Sequence, residues 1–276
     1  MSWAWNLSGG WLRNMGFFDR GGSIIIFHIG ALAGMVGSVV AGPRYGRFMK
    51  AEELKIMSGG GNDYRKKTLG DLLEEMLDNT EEVDELYLRK VRKAIKIDMT
   101  ENNYYAINVP YMVIGTFLVT IGWIIMAACG AGTTHSLNSY TGRYQAENSI
   151  LTCVLSGAVC GMFSFMVKRH LVCGDHKLTP RYDIRSLCNG FLAGVAAVGA
   201  GSGVIRPWGA LVTGLFEAVF YMSMCIILKK IKFDDPMENF AIYCTAGIWS
   251  MFACAFFTPG KGILWSNLAS GNLLGI

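Results

Sequence analysis

Six long apolar runs constrain this chain more than any other feature of its sequence. The runs cover residues 22–42, 106–129, 148–167, 185–202, 208–228 and 237–257. A helix needs about 20 apolar residues to cross the hydrocarbon core of a bilayer, and this chain is 52% hydrophobic and only 17% charged. The pattern predicts an all-α integral membrane protein with six transmembrane helices, and an even number of crossings places both termini on one side.

The positive charges lie mostly in three of the connecting loops. Twelve Lys and Arg fall in residues 43–105, five in 168–185 and three in 229–232, so that 20 of the 25 share one face. Loops on the cytoplasmic side of a membrane are enriched in Lys and Arg. We therefore expect these loops to face the cytosol or the mitochondrial matrix, and both termini to face the opposite compartment.

The longest loop, residues 43–105, has a helical pattern of its own. Thr68 and Asp71 are typical of a helix start, and leucines then recur at helical spacing. The loop is predicted to form a charged, amphipathic helical insert that lies on the membrane or on a partner, with a solvated insert as the alternative. The remaining divisions are an N-terminal loop with the first membrane helix (1–42) and a five-helix bundle with a C-terminal tail (106–276).

Several functional classes find no support in the residues. The eight cysteines form no C-x-x-C pair and no zinc-ligand spacing, so we interpret them as buried packing residues. The glycine-rich stretch 199–203 lacks the Lys-Ser/Thr of a phosphate loop and is interpreted as a helix end. We expect no enzyme activity, no metal, no nucleic-acid partner, no cleavable signal, and no cofactor beyond bound lipid.

Two residues, His28 and Glu217, place ionisable groups well inside the predicted spans, away from their ends. Such residues are expensive in a bilayer and are candidates for function. For His28 we favour a packing histidine bonded to a backbone carbonyl or to a water at lipid level, with a functional role as the alternative. For Glu217 we favour a carboxyl that hydrogen-bonds a neighbouring helix or subunit, with a proton or cation site as the alternative. Paired small residues, such as Gly30 with Gly34, predict close packing between helices.

Five segments together resemble one family, the ammonium transporters (Amt/Mep/Rh). They are GWLRNMGFFD (10–19), GPRYGRF (42–48), VPYMVIGTF (109–117), NGFLAGVAAVGAGSGVIRPWGA (189–210) and DDPMENFAIYCTAGIW (234–249). Members have eleven membrane helices, built as two inverted five-helix repeats and one extra helix. The resemblance covers the fifth to tenth helices, and it implies a shortened member in which one helix of the first half accompanies the second half.

The resemblance also implies which residues stand at pore positions. Members carry two histidines that meet in the pore, one from the fifth and one from the tenth helix. Phe27 and Tyr243 stand at these positions, and His28 lies one residue later, about 100° around the helix. At the outer recruitment site, Met126 takes the place of an aromatic gate and Gly130 that of a hydroxyl residue.

Other family positions are retained, and the resemblance gives them structural roles. Asp19 would support the outer vestibule or cap the helix that follows, and Trp5 is a weaker match to a recruitment-site tryptophan. The retained positions are Asp19, Gly22, Ser23, Trp123, Pro207, Trp208, Asp234, Asp235 and Pro236.

The sequence thus predicts a transport-inactive relative that acts as a structural subunit of a larger membrane complex. A pathway at a repeat interface needs walls from both repeats, and bulky aromatics replace the imidazoles. We expect membrane protein subunits and lipids as partners, and the mitochondrial inner membrane as the compartment, with the plasma membrane as alternative. The alternative function is a residual ammonium channel that works as an oligomer or with a separately encoded first half. A sensor that binds ammonium without passing it is a third, weaker hypothesis.

Overall fold

The structure is a computed structural model that describes residues 2–5, 9–44, 108–132, 140–168, 183–259 and 263. The chain divides into two units, and the account below concerns the first, formed by residues 1–42, 108–175 and 179–276. The predicted helical insert at 43–105 lies outside the described residues, apart from its first two positions. The prediction of its helices therefore stays a prediction.

Two short helices precede six long ones in the described chain. The short helices are α1 (Ser2–Trp5) and α2 (Trp11–Asn14). The long helices are α3 (Ser23–Ala41), α4 (Val109–Gly132), α5 (Tyr140–Val167), α6 (Ile184–Gly201), α7 (Pro207–Lys230) and α8 (Phe240–Phe257).

All six long helices are long and apolar enough to cross a membrane. The predicted all-α fold with six membrane-spanning helices is thereby confirmed, and the chain is an integral membrane protein. One boundary differs substantially from the prediction, because α5 begins at Tyr140 and not at residue 148. Its first turns include Arg143 and Glu147, which interrupt the apolar run in the sequence, although the candidate span Thr141–Val167 contains both residues.

Helix α6 forms the core of the bundle and contacts α5, α7 and α8. In its most apolar stretch 78% of the residues are buried, against 39% in α5 and α7. Small residues allow this approach: a Cβ on Gly190 would lie 2.8 Å from Ser164 Oγ, and one on Gly194 would collide with the Ser156 carbonyl oxygen. Close backbone contact of this kind replaces hydrophobic driving force between helices in lipid.

The end of α6 illustrates how the bundle satisfies backbone groups at membrane depth. The helix tightens into a 3₁₀ turn at Gly199–Gly201, as expected for the glycine-rich stretch. Asn148 of α5 donates to the carbonyl oxygens of Ser202 (3.1 Å) and Ile205 (2.8 Å), and Thr152 donates to that of Ser202 (2.9 Å). Irregular backbone is tolerated inside a membrane protein where such partners are present.

Helices α3 and α4 lie at the periphery of the described bundle. Only 6% of the apolar stretch of α3 and 17% of that of α4 are buried. No described atom lies within 4 Å of a Cβ placed on Gly30, Gly34 or Gly37. The close packing expected at Gly30 and Gly34 is therefore not made by the described residues.

Candidate functional site

Helix α3 begins at an aspartate that holds three backbone groups. The Asp19 carboxylate accepts hydrogen bonds from the backbone N–H groups of Ser23 (3.0 Å), Ile24 (2.9 Å) and Ile25 (3.1 Å). Burial raises the pKa of Asp19 above its ordinary value, and these N–H bonds offset part of that rise. Asp19 thus satisfies the free donors of the first turn.

Helix α8, near the other end of the described chain, begins in the same way. Asp235 Oδ1 accepts from the Asn239 N–H (3.0 Å), and Oδ2 accepts from the Phe240 N–H (2.8 Å). Burial also raises the pKa of Asp235, with the backbone N–H bonds again acting against it. Each capped helix then opens with a π-helical turn, Ser23–His28 in α3 and Phe240–Cys244 in α8.

An aromatic residue stands eight positions after each of these aspartates, and the two meet. Phe27 and Tyr243 have ring centroids 5.5 Å apart. Trp123 of α4 stacks on Phe27 at 3.4 Å with an interplanar angle of 10°, and lies 6.0 Å from Tyr243. We call Phe27, Trp123 and Tyr243 the aromatic stack. Met126 packs against the same buried cluster.

The aromatic stack carries two polar groups, the indole N–H of Trp123 and the hydroxyl of Tyr243. Trp123 is 2% exposed, and its indole N–H has no hydrogen-bond partner among the described residues. Neither phenyl nor indole rings accept and release protons near neutral pH. The three rings therefore pack against one another, and the Tyr243 hydroxyl is the group of the stack that can both donate and accept a hydrogen bond.

His28 is held away from the stack by a backbone contact. Its Nδ1 lies 3.1 Å from the carbonyl oxygen of Cys244. Because a carbonyl oxygen only accepts, this contact places a proton on Nδ1. Gly247 makes room for the imidazole, since a Cβ there would lie 2.5 Å from His28 Cβ and 3.0 Å from the Ser23 carbonyl oxygen.

Residue 130, which the resemblance places at the outer recruitment site, packs against the loop before α3. A Cβ placed on Gly130 would collide with the carbonyl oxygen of Arg20, so that a hydroxyl side chain does not fit there as the backbone stands. Arg20 Nη1 itself donates to Gln145 Oε1 at 2.6 Å. Trp5 donates its indole N–H to the Asp19 carbonyl oxygen at 2.7 Å, so this donor is already used within the protein.

The other positions that the resemblance marks as retained lie at a turn, in a hydrogen bond, at a helix start or in a ring contact. Gly22 adopts a left-handed conformation (φ 72°) that glycine accepts readily, and Ser23 Oγ donates to the Ala196 carbonyl oxygen at 2.7 Å. Pro207 is the first residue of α7, a favoured position. Trp208 packs edge-on against Phe257.

Asp234 and Pro236 flank the α8 cap on the loop that joins α7 to α8. Asp234 is 8% exposed. The Pro236 carbonyl oxygen accepts from Arg185 Nη2 at 2.7 Å, which ties this loop to the start of α6.

Sequence reasoning missed a charged network at the same end of the bundle. Glu238, in a left-handed conformation with φ 57°, accepts hydrogen bonds from Tyr221 (2.5 Å) and Asn189 (2.8 Å), and its other oxygen lies 3.5 Å from Arg185. Burial alone would raise the pKa of Glu238, but Arg185 and Lys168 hold it below its ordinary value. The one available signal was an acidic residue at the start of the predicted span 237–257, beside a positively charged loop.

A salt bridge completes this network. Lys168 pairs with Asp183, which also caps α6 by accepting from the Arg185 N–H at 3.2 Å. Burial alone would raise the pKa of Asp183, but Lys168 holds it below its ordinary value. The network joins the end of α5, the start of α6, Tyr221 of α7 and the loop before α8. Its charged side chains are paired with one another.

Glu217 lies apart from both clusters. Its side chain is fully buried, and Thr245 Oγ1 lies 2.7 Å from Oε1. Oε2 has no hydrogen-bond partner among the described residues. Within the same residues, no three His, Cys, Asp or Glu side chains come together as metal ligands do.

Comparison with known sequences identifies relatives. A sequence profile of the Ammonium Transporter Family matches residues 1–59 and 86–274. Ammonium transporter 1 member 1 of Arabidopsis thaliana is 24% identical over 94% of this chain and 44% of its own length. The rice protein of the same name (Oryza sativa subsp. japonica) is 25% identical over 92% of this chain and 41% of its own length. The chain thus spans less than half the length of these relatives.

Solved structures give the same result for the fold. A protein described as Sensor Amt Protein superposes with a TM-score of 0.61 at 22% identity, over 93% of this chain and 49% of that one. Saccharomyces cerevisiae Mep2 gives 0.62 at 19% identity, over 93% and 42%. Likeness at these identities establishes a shared fold.

Proposed function

The chain belongs to the Ammonium Transporter Family, and from that premise we propose that it does not pass ammonia along the family pathway and serves as a structural subunit of a membrane assembly. The aromatic stack carries this proposal. The resemblance implies two hydrogen-bonded imidazoles at residues 27 and 243. In their place, the centroid of the Phe27 ring lies 3.4 Å from that of Trp123 and 5.5 Å from that of Tyr243.

The recruitment position supports the same proposal. A hydroxyl side chain at Gly130 would have to displace the Arg20 backbone, and the Trp5 indole N–H is bonded to Asp19. A cation arriving at this side would therefore meet no hydroxyl at residue 130.

The periphery of the bundle supports a role in assembly. The apolar faces of α3 and α4 are almost unburied, at 6% and 17%, and α3 carries three glycines whose surroundings are open. Glycines on a membrane helix favour close approach of another helix. We infer that other membrane subunits, with lipid between them, cover these faces.

Purification from the native membrane tests the structural role. The chain, tagged at its own locus and extracted in a mild detergent, should migrate in a high-mass complex with other membrane proteins at fixed stoichiometry. Migration as a free monomer or as an assembly of this chain alone would contradict the proposal. The same preparation shows the compartment, for which the mitochondrial inner membrane is our prediction and the plasma membrane the alternative.

A second candidate is an ammonium channel, completed by other copies or by a separate chain. Family membership favours it, as does the retained pair of capped helices that brings residues 27 and 243 together. Flux of methylammonium into vesicles that contain the purified chain, or the chain with its co-purifying partners, separates the two candidates.

A further inference from the structure

Glu217 is a carboxyl group in the middle of a membrane helix, with no cationic partner in the described part of the chain. It is 0% exposed, and Thr245 is its one hydrogen-bond partner among the described residues. The titratable groups nearest to it on the packed helices are the thiols of Cys160 on α5 and Cys244 on α8. An ionised carboxylate in such surroundings would be strongly unfavourable.

Two short oxygen–oxygen contacts meet at the Thr245 hydroxyl. Thr245 Oγ1 lies 2.7 Å from Glu217 Oε1 and 2.6 Å from the carbonyl oxygen of Ala241. Both distances are those of O–H···O hydrogen bonds, and a single hydroxyl proton can point at only one of the two acceptors. The threonine hydroxyl has one proton and the backbone carbonyl has none. A proton on the carboxyl group gives each contact a donor of its own.

We propose that Glu217 is a proton-binding site, a neutral carboxylic acid whose O–H donates to Thr245 Oγ1 while Thr245 donates to the Ala241 carbonyl oxygen. In this arrangement every short contact contains one proton. The oxygen without a partner, Oε2, is then the carbonyl oxygen of a neutral acid, which tolerates an apolar environment far better than half of a carboxylate.

The proton has a structural consequence for the aromatic stack. Thr245 lies two residues after Tyr243 on α8, so that the chain from Glu217 through Thr245 fixes α8 against α7 close to the stack. A second link between these helices lies one turn further along, where Trp249 Nε1 donates to the Thr213 carbonyl oxygen at 3.0 Å. The protonation of Glu217 does not depend on whether the chain passes ammonium.

Infrared difference spectroscopy of the full chain in lipid nanodiscs tests this assignment. At neutral pH the wild type should show a carboxylic acid C=O stretching band that Glu217→Gln lacks. Glu147→Gln, which changes an exposed carboxyl on α5, is the matched control and should leave the band intact. Thr245→Val removes the acceptor and should shift the band without abolishing it, a response that a merely space-filling side chain would not give.

Thermal unfolding provides the second measurement. Glu217→Gln should unfold at the wild-type temperature, because an amide N–H donates to Thr245 as the acid does, whereas Glu217→Ala should unfold earlier. The assignment is overturned if Glu217→Gln loses a carboxylate band of the wild-type infrared spectrum and shows no loss of a carboxylic acid band. It is equally overturned if Glu217→Gln fails to fold, since the closest neutral substitute for the acid would then be rejected.

Discussion

Helices α3 and α8 begin with the same local pattern and lie in different surroundings. Each starts at an aspartate that accepts backbone N–H bonds, opens with a π-helical turn, and presents an aromatic residue eight positions after the aspartate. Yet 56% of the apolar stretch of α8 is buried, against 6% for α3. The start of a helix is encoded by neighbouring residues, whereas its burial depends on the helices that happen to surround it.

The largest expected effect comes from the point where the two helices meet. Phe27→Ala should lower the free energy of unfolding by about 2–3 kcal/mol, because it removes a ring stacked on Trp123 and leaves a cavity. Val36→Ala, on the exposed side of α3 (60% exposed), should change it by less than about 0.5 kcal/mol. Unfolding in detergent measures both. Equal effects would mean that α3 does not pack through Phe27.

A glycine-to-alanine pair compares the two helices directly. Gly247→Ala on α8 should destabilise by about 1–3 kcal/mol, because the new Cβ meets His28 and the Ser23 backbone. Gly30→Ala on α3 meets nothing and should be neutral in the isolated chain. In the native membrane, however, Gly30→Ala should weaken co-purification of partners if another helix covers α3. An unchanged complex would place lipid on that face.

The two caps should differ modestly in strength. Asp19→Ala leaves three backbone N–H groups without their partner, and we expect a loss of about 1.5 kcal/mol. Asp235→Ala should lose about 1 kcal/mol. Chemical unfolding of both variants, with Asp235→Asn as a control that keeps an acceptor oxygen, measures this difference. A larger loss at Asp235 would reverse the ranking.

The smallest effect is in the pH dependence, on the order of 1 kcal/mol or less. Burial raises the pKa of both Asp19 and Asp235, so their contribution is present below the unfolded-state pKa and is lost as the pH rises through the folded-state pKa. Asp183 has a lowered pKa, and its contribution is lost as the pH falls through the folded-state value.

Melting temperatures measured between about pH 3 and 7 check these signs. As the pH rises, the wild type should lose stability relative to Asp19→Asn. Over the same pH range, the wild type should gain stability relative to Asp183→Asn. Slopes of the same sign for the two variants would show that burial does not dominate at Asp19.

The fold was largely predictable because each membrane span is a property of one continuous segment. The contacts between spans were less predictable. Alignment with the family placed Phe27 and Tyr243 at facing positions, but nothing in the sequence indicated that Trp123 would stack on Phe27. A hydrogen-bonding role was predicted for Glu217, and its partner Thr245 depends on how α7 and α8 are rotated. The Glu238 network was missed because its members come from four separate segments.

Uptake of radiolabelled methylammonium tests the central claim that the aromatic stack offers no path. The purified chain should be reconstituted into liposomes beside a full-length ammonium transporter and beside protein-free liposomes. We expect the chain to give the flux of protein-free liposomes, while the full-length protein gives a robust flux. A flux through the chain that is well above this background, and that Phe27→Ala or Tyr243→Ala alters, would contradict the account.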